Sequence, residues 1–230
     1  MCGRVTLTET DGRVVADWLE AEIDEEDLAA WRPRYNGAPT DELWQVVAHG
    51  SGKKLSRARW GVSRGIAPGK SKLVINTRAE AIESRAWKSA LESRRSLVVT
   101  DGFYEWTGAG KDRHPLRFVR ATGGLVLMAG IFDEDASGQR AFSIVTCAPN
   151  SLLAPLHDRM PVVLDGEATD AWLAAPRVEL LAPVRADYLV ANKVSRRVNA
   201  VANDDPACLD PESEDAPAPE PTTARQLRLF

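Results

Sequence analysis

The chain has 230 residues, 44% of them hydrophobic, with a formal net charge of −4, which fits one folded domain with a real core plus a tail. No apolar run approaches the roughly 18–20 residues that span a bilayer, and the opening Met-Cys-Gly-Arg-Val-Thr lacks an apolar signal region, so the expectation is a cytoplasmic protein with no membrane partner. Charge is segregated: residues 1–27 hold nine acids and two bases, residues 203–230 hold seven acids and two bases, and the middle keeps 25 bases against 17 acids, a basic body compatible with an anionic partner such as nucleic acid.

In chain order, Val5 and Leu7 alternate with polar residues and predict a short opening strand. A helix follows, with Thr10 or Asp11 as its N-cap and Val14, Val15, Trp18 and Leu19 as its buried stripe. The stretch from Trp31 to Pro39 is punctuated by prolines and Asn36-Gly37 and reads as loop. Strands are expected at Leu43–Ala48, Leu97–Thr100, Leu116–Val119, Leu125–Phe132, Ala141–Cys147, Pro161–Leu164 and Tyr188–Val190. Short helices are expected at Ala79–Ala90, Ser151–Leu156, Ala168–Ala174 and Val178–Leu181. Strands outnumber helices irregularly, which predicts an α+β fold with a mainly antiparallel sheet curled on itself, barrel-like at its core.

From Asn203 the composition turns acidic and Pro-rich, so residues 1–202 are expected to form the domain and 203–225 a disordered linker. The last five residues, Gln226-Leu227-Arg228-Leu229-Phe230, are too apolar to belong to such a linker. Cysteines stand at 2, 147 and 208, a scatter that fits neither a disulfide framework nor a paired-cysteine zinc site. Cys147 reads as a small buried hydrophobe and Cys208 as an idle tail residue. No metal site or organic cofactor motif is legible, and a monomer is the default.

Four segments carry candidate chemistry. Loss of Met1 before the small pair Cys2-Gly3 would leave a free α-amine beside a thiol. Such a 1,2-aminothiol condenses with an aldehyde to an imine, and its sulfur then closes a durable five-membered thiazolidine; ring-opened deoxyribose at an abasic site is a natural aldehyde. Glu105 lies between Tyr104 and Trp106. Apolar crowding would raise its pKa for acid–base work, whereas plain strand alternation would turn it to solvent. His157, beside Asp158 and Arg159 at an element boundary, reads equally as catalytic or as a polar helix terminus. Asn76 and Arg78 stand at a strand-to-helix junction, either meeting a phosphate or capping the helix.

Taken together and in order, Met1-Cys-Gly-Arg4, Arg34-Tyr-Asn-Gly-Ala-Pro39, Trp60-Gly61, Asn76-Thr-Arg-Ala-Glu80, Asp101-Gly-Phe-Tyr-Glu-Trp106, His157-Asp-Arg-Met-Pro161 and Val194-Ser-Arg196 resemble the SRAP-domain family over about residues 2–200. The resemblance implies that Cys2 crosslinks to abasic sites in single-stranded DNA, with Glu105 assisting ring opening, His157 acting near the sugar and Asn76 orienting Cys2. It further implies phosphate contacts from Arg4, Arg78 and Arg159, with Trp106 and Pro39 lining the bend in the DNA. After Trp60-Gly61 this chain has Val62-Ser-Arg-Gly-Ile66 in place of an aromatic wedge, which leaves its junction preference open. The tail Gln226, Leu227, Leu229 and Phe230 looks like a peptide that docks on the bacterial β sliding clamp. Two other classes stay in play: a thiol autoprotease using Cys2, and a non-covalent single-strand-binding adaptor.

Overall fold

The computed structural model describes residues 2–67, 70–108, 110–134 and 138–212. Two mainly antiparallel sheets carry the architecture. In the five-stranded sheet the order is Leu189–Lys193, His114–Arg120, Gly102–Thr107, Val5–Leu7 and Arg34–Gly37. A longer sheet runs through Arg140–Cys147, Val126–Glu134, Arg95–Thr100, Glu42–His49 and Gly52–Trp60. It curls until Ala141 and Phe142 meet Arg59 and Trp60 in a two-residue parallel pairing, short of a closed barrel. Apolar residues from both faces of these strands, among them Trp60, Phe103, Phe118 and Phe142, are fully buried. All seven expected strands appear, most of them extended by a residue or more at an end and the one expected at Pro161–Leu164 split into Met160–Pro161 and Val163–Leu164. Among the described residues no helix is long and apolar enough to cross a membrane.

The differences have local causes. Helix Gly12–Leu19 is capped by Asp11, whose carboxylate accepts from Arg13 N–H, but its buried stripe is Gly12, Val15, Ala16 and Leu19 at helical spacing. Trp18 falls one step off that stripe and is 57% exposed. The indole that covers this helix is Trp31: a Cβ on Gly12 would stand 2.7 Å from it. The expected loop at 31–39 contains a strand, Arg34–Gly37, paired with Val5–Leu7, because its prolines, Pro33 and Pro39, flank the paired residues. The expected helix at 79–90 is a single 3-10 turn, Ala79–Ala81, followed by helix Lys88–Ser93; 151–156 is a run of turns. Strand Gly52–Trp60 and the hairpin of Val62–Ala67 with Lys70–Val74 escaped the pattern because basic residues punctuate them.

The expected linker start at Asn203 is also corrected. Residues 203–212 pack onto the domain. Asp204 accepts hydrogen bonds from Tyr35 N–H at 2.6 Å, Asn36 N–H at 2.7 Å and Arg34 Nε at 2.5 Å. Cys208 is fully buried rather than idle in a tail, and Val194 forms an isolated bridge with Pro211. The Asp204 carboxylate holds this strap together with a small apolar cluster in which Cys208 and Leu209 pack with Tyr104, Val194 and Val198, which the acidic, Pro-rich composition did not reveal. Residues 213–225 and the pentapeptide 226–230 lie outside the described residues.

Candidate active site

The antiparallel register sets the site. Val5 pairs with Phe103 and Thr6 with Gly102, and Tyr104 N–H donates to Arg4 O at 3.0 Å. Two residues earlier, the chain therefore runs beside the end of the strand that holds Glu105. Cys2 is fully buried, its Sγ 4.0 Å from Arg4 O. Burial, and next the charge of Glu105, pushes its thiol pKa well above the usual range. Asn76 Nδ2 donates to Cys2 O at 2.8 Å. The strand carrying it, Asn76–Arg78, runs parallel to Arg140–Cys147 with Ile144 opposite Asn76. Asn76 Oδ1 is buried without a hydrogen-bond partner among the described residues, an acceptor still to be used.

Glu105 is 4% exposed, so it is the buried reading of this strand that holds. Tyr104, on the opposite face, is equally buried, with its hydroxyl donating to Tyr35 O at 2.7 Å. Burial raises the Glu105 pKa, and nearby positive charge pulls it back in part. His157 is part-exposed just before strand Met160–Pro161. Its Nδ1 accepts from Arg159 N–H at 2.9 Å and also lies 2.7 Å from Asp158 Oδ1. The first contact needs a bare Nδ1 and the second a protonated one. Asp158 is 79% exposed, so solvent screens its pull. Asn76 holds Cys2 O, Glu105 acts on the Cys2 thiol and His157 acts on Glu105, so the four residues lie in one neighbourhood.

The expected phosphate contacts divide. Arg78 is exposed and has no ion pair among the described residues. Arg4 instead gives Nη1 to Asn36 Oδ1 and Val198 O, both at 2.8 Å, and Arg159 forks onto Glu80 at 2.7 and 2.9 Å with its side chain 11% exposed. Trp106 is half-buried, and its Nε1 donates to Asn199 Oδ1 at 2.8 Å; Pro39 is half-buried in the turn before Thr40.

Sequence reasoning missed two residues here. Arg113 stacks on Trp106 at 4.4 Å, with Arg4 at 5.9 Å on the same ring. Asn36 is a node: its Nδ2 contacts Val198, Ala200 and Asn203 carbonyls at 3.2, 3.1 and 2.7 Å. The only available signal for Asn36 was its place inside the 34–39 motif; nothing marked Arg113. In the hairpin, Arg64 stands where an aromatic wedge was sought, stacked on Trp87 at 4.0 Å and paired with Asp133 at 2.8 Å.

A buried thiol at the second residue, its carbonyl held by Asn76 and its sulfur near a buried carboxyl of raised pKa, thus lies beside the end of a strand in a curled, mainly antiparallel fold. More particularly, the chain belongs to the SRAP family: the family model, described as SOS response associated peptidase, matches residues 1–201. It is 31% identical to the abasic site processing protein YedK of Escherichia coli (strain K12), over 92% of this chain and 100% of that protein. The abasic site processing protein YoqW of Bacillus subtilis (strain 168) is 30% identical over 91% and 99%, and the abasic site processing protein HMCES of Xenopus tropicalis 26% over 91% and 78%. A crystal structure of a Bacteroides thetaiotaomicron protein superposes with a TM-score of 0.77 at 20% identity, over 92% of this chain and all of that one, which establishes the shared fold.

Proposed function

We propose that this protein processes abasic sites in single-stranded DNA by joining them to Cys2 as a thiazolidine once Met1 is removed. The observation that carries the reading is the Asn76 hold on Cys2 O at 2.8 Å beside the buried Glu105, whose pKa burial raises. Glu105 gives a proton to the sugar ring oxygen as the anomeric hydroxyl loses one, and the aldehyde opens. The α-amine of Cys2 adds to C1, and one water leaves to give the imine. The S–H then adds across C=N, sulfur to C1 and hydrogen to nitrogen, so the whole sequence releases one water and needs no oxidant. A neutral thiol suits this last step, because the imine supplies the electrophile within one residue's reach. His157 serves as a proton carrier at the sugar, Arg78 as the free phosphate contact, and Trp106 and Pro39 as the surface on which the strand bends, with stacking of little sequence preference. Arg4 and Arg159 support these from within. The relatives' name, abasic site processing protein, favours the same substrate.

The test is a denaturing gel of full-length protein with single-stranded DNA bearing one abasic site, alongside Cys2→Ala. A heat-stable shifted band is expected for the wild type alone. A thiol autoprotease would lose Met1 and give no band, and a binding adaptor would retain the DNA equally with Cys2→Ala in a native gel. For the tail, we propose that Gln226, Leu227, Leu229 and Phe230 dock in an apolar groove of the bacterial β sliding clamp. Deleting residues 226–230 should abolish clamp capture in a pull-down; unchanged capture would refute it.

A further inference from the structure

Trp18 stands off the buried stripe of its helix, 57% exposed, at a groove of about 480 Å³ that the chemistry above leaves unused. Leu19, Leu125, Leu127, Leu164 and Tyr188 line the groove with it, and Leu125, Leu127 and Tyr188 are only half-buried. Carboxylates line the same groove. Asp165 meets Arg120 at 3.3 Å and Asp170 meets Lys53 at 3.1 Å, while Glu20 is exposed and has no ion pair among the described residues. An exposed indole beside half-buried leucines marks surface that gains by being covered.

The strap at 203–212 delivers the chain to the same side of the molecule. Glu212 pairs with His114, which opens strand His114–Arg120, and Arg120, at the other end, lines the groove. The length of that strand, about 20 Å at 3.3 Å per residue, therefore separates the last described residue from the groove. Pro211 sets the heading. It bridges Val194 antiparallel, so the chain there points back along the edge strand Leu189–Lys193 toward Tyr188, which also lines the groove.

We infer that residues 225–230 of this same chain dock in the groove, with Leu227, Leu229 and Phe230 covering its apolar residues and Arg225 and Arg228 meeting its carboxylates. The inference goes beyond the clamp proposal and does not rest on it. Reach agrees: Arg225 is thirteen residues on from Glu212, and a flexible chain of that length averages about 20 Å end to end, with at most about 43–47 Å at full extension. Charge agrees: residues 225–230 hold two arginines and no acid, against three carboxylates and two cations in the groove. A tether this short presents the peptide at about millimolar effective concentration, so a site of only modest affinity is filled. The reactive centre stays open, because Glu105 stands opposite Leu116, toward the His114 end of the strand whose other end meets the groove. A docked tail is thereby withheld from other receptors without touching the chemistry at Cys2.

Trypsin cleavage after Arg225 in the full-length protein, timed by mass spectrometry, tests the docking. Wild type is compared with Trp18→Ala, which strips the groove, and with Leu227→Ser/Leu229→Ser/Phe230→Ser, which strips the peptide and leaves the domain unchanged. With a groove Kd about tenfold below the effective concentration, about nine-tenths of the tails are docked, so each variant should be cut about tenfold faster than wild type. Trp18→Ala should melt like wild type and form adducts at the wild-type rate; if it unfolds, the peptide variant decides. Equal cleavage rates in wild type and the peptide variant would overturn the inference. Protection that grows with protein concentration would overturn it in favour of a second copy of the chain as the receptor.

Discussion

Replacing Glu105 by Gln should slow crosslinking and yet stabilise the fold, and the stabilisation should grow with pH. Glu105 is 4% exposed and burial raises its pKa above that of a free side chain. Between the ordinary value of about 4.3 and the raised one, the unfolded chain has released this proton while the native chain still holds it. Stability contributed by this group therefore falls as pH rises through that window and levels off above it. The gain from Glu105→Gln should therefore be greatest at pH 8, where the native chain carries the charge that burial opposes, and should appear as a higher Tm for the variant. At pH 4 the native and unfolded carboxyls are both mostly protonated and the gain should vanish. Denaturant melts of both proteins at pH 4, 6 and 8 read the stability, and the adduct gel reads a rate loss of about 10²–10⁴ for removal of a general acid. A variant that is less stable at pH 8 than wild type, with no narrowing on acidification, would refute the account of Glu105 as a carboxyl held protonated by burial.

Three further outcomes follow from named contacts. Asp204→Ala strips the acceptor from Tyr35 N–H, Asn36 N–H and Arg34 Nε; because its side chain is 26% exposed, water replaces part of the loss, and about 2–3 kcal/mol should disappear in a urea melt. Gly61→Ala puts a Cβ 2.8 Å from Leu73 at a φ of +123°, so a cost of about 1–3 kcal/mol is expected in the same assay, whereas an unaltered midpoint would mean the hairpin root yields freely. Asn76→Ala removes the donor to Cys2 O and should slow adduct formation about two- to tenfold, one neutral hydrogen bond's worth, with single-turnover rates as the readout; a full-rate variant would show that this bond does not orient Cys2.

What was legible in the sequence depended on how each residue is held. Strands with continuous apolar alternation, such as Val126–Glu134 and Arg140–Cys147, declare themselves because burial selects their side chains. Gly52–Trp60 did not, since lysine and arginine stems occupy the positions that a pattern search treats as polar. Cys2, Asn76, Glu105 and His157 were found because each belongs to a rare residue type or a motif, but only the structure decides that Glu105 is buried and that His157 accepts from a backbone N–H. Arg4, Arg78 and Arg159 look alike in one dimension; Glu80, Asn36 and Val198 O separate them. The strap at 203–212 was misread for the same reason, because one carboxylate with three donors outweighs an acidic, Pro-rich composition.

The burial of Cys2 bears on how an aminothiol is kept for a single kind of partner. Thiolates, not thiols, are attacked by oxidants and by adventitious electrophiles, and a thiol raised far above its usual pKa is almost wholly protonated at neutral pH. Such a group is inert until an electrophile forms beside it. In the proposed reaction the order of steps would follow from proton affinity: an amine free of residue 1 has a pKa near 7.7–8.0 in solution and is partly neutral at that pH, so it would capture the aldehyde first and the thiol would respond only to the imine. Asn76 contributes by fixing the Cys2 carbonyl while its own buried Oδ1 stays unfilled, an acceptor suited to the N–H of that amine. Under the proposed function, selectivity for aldehydes over other electrophiles would follow from where the sulfur is buried.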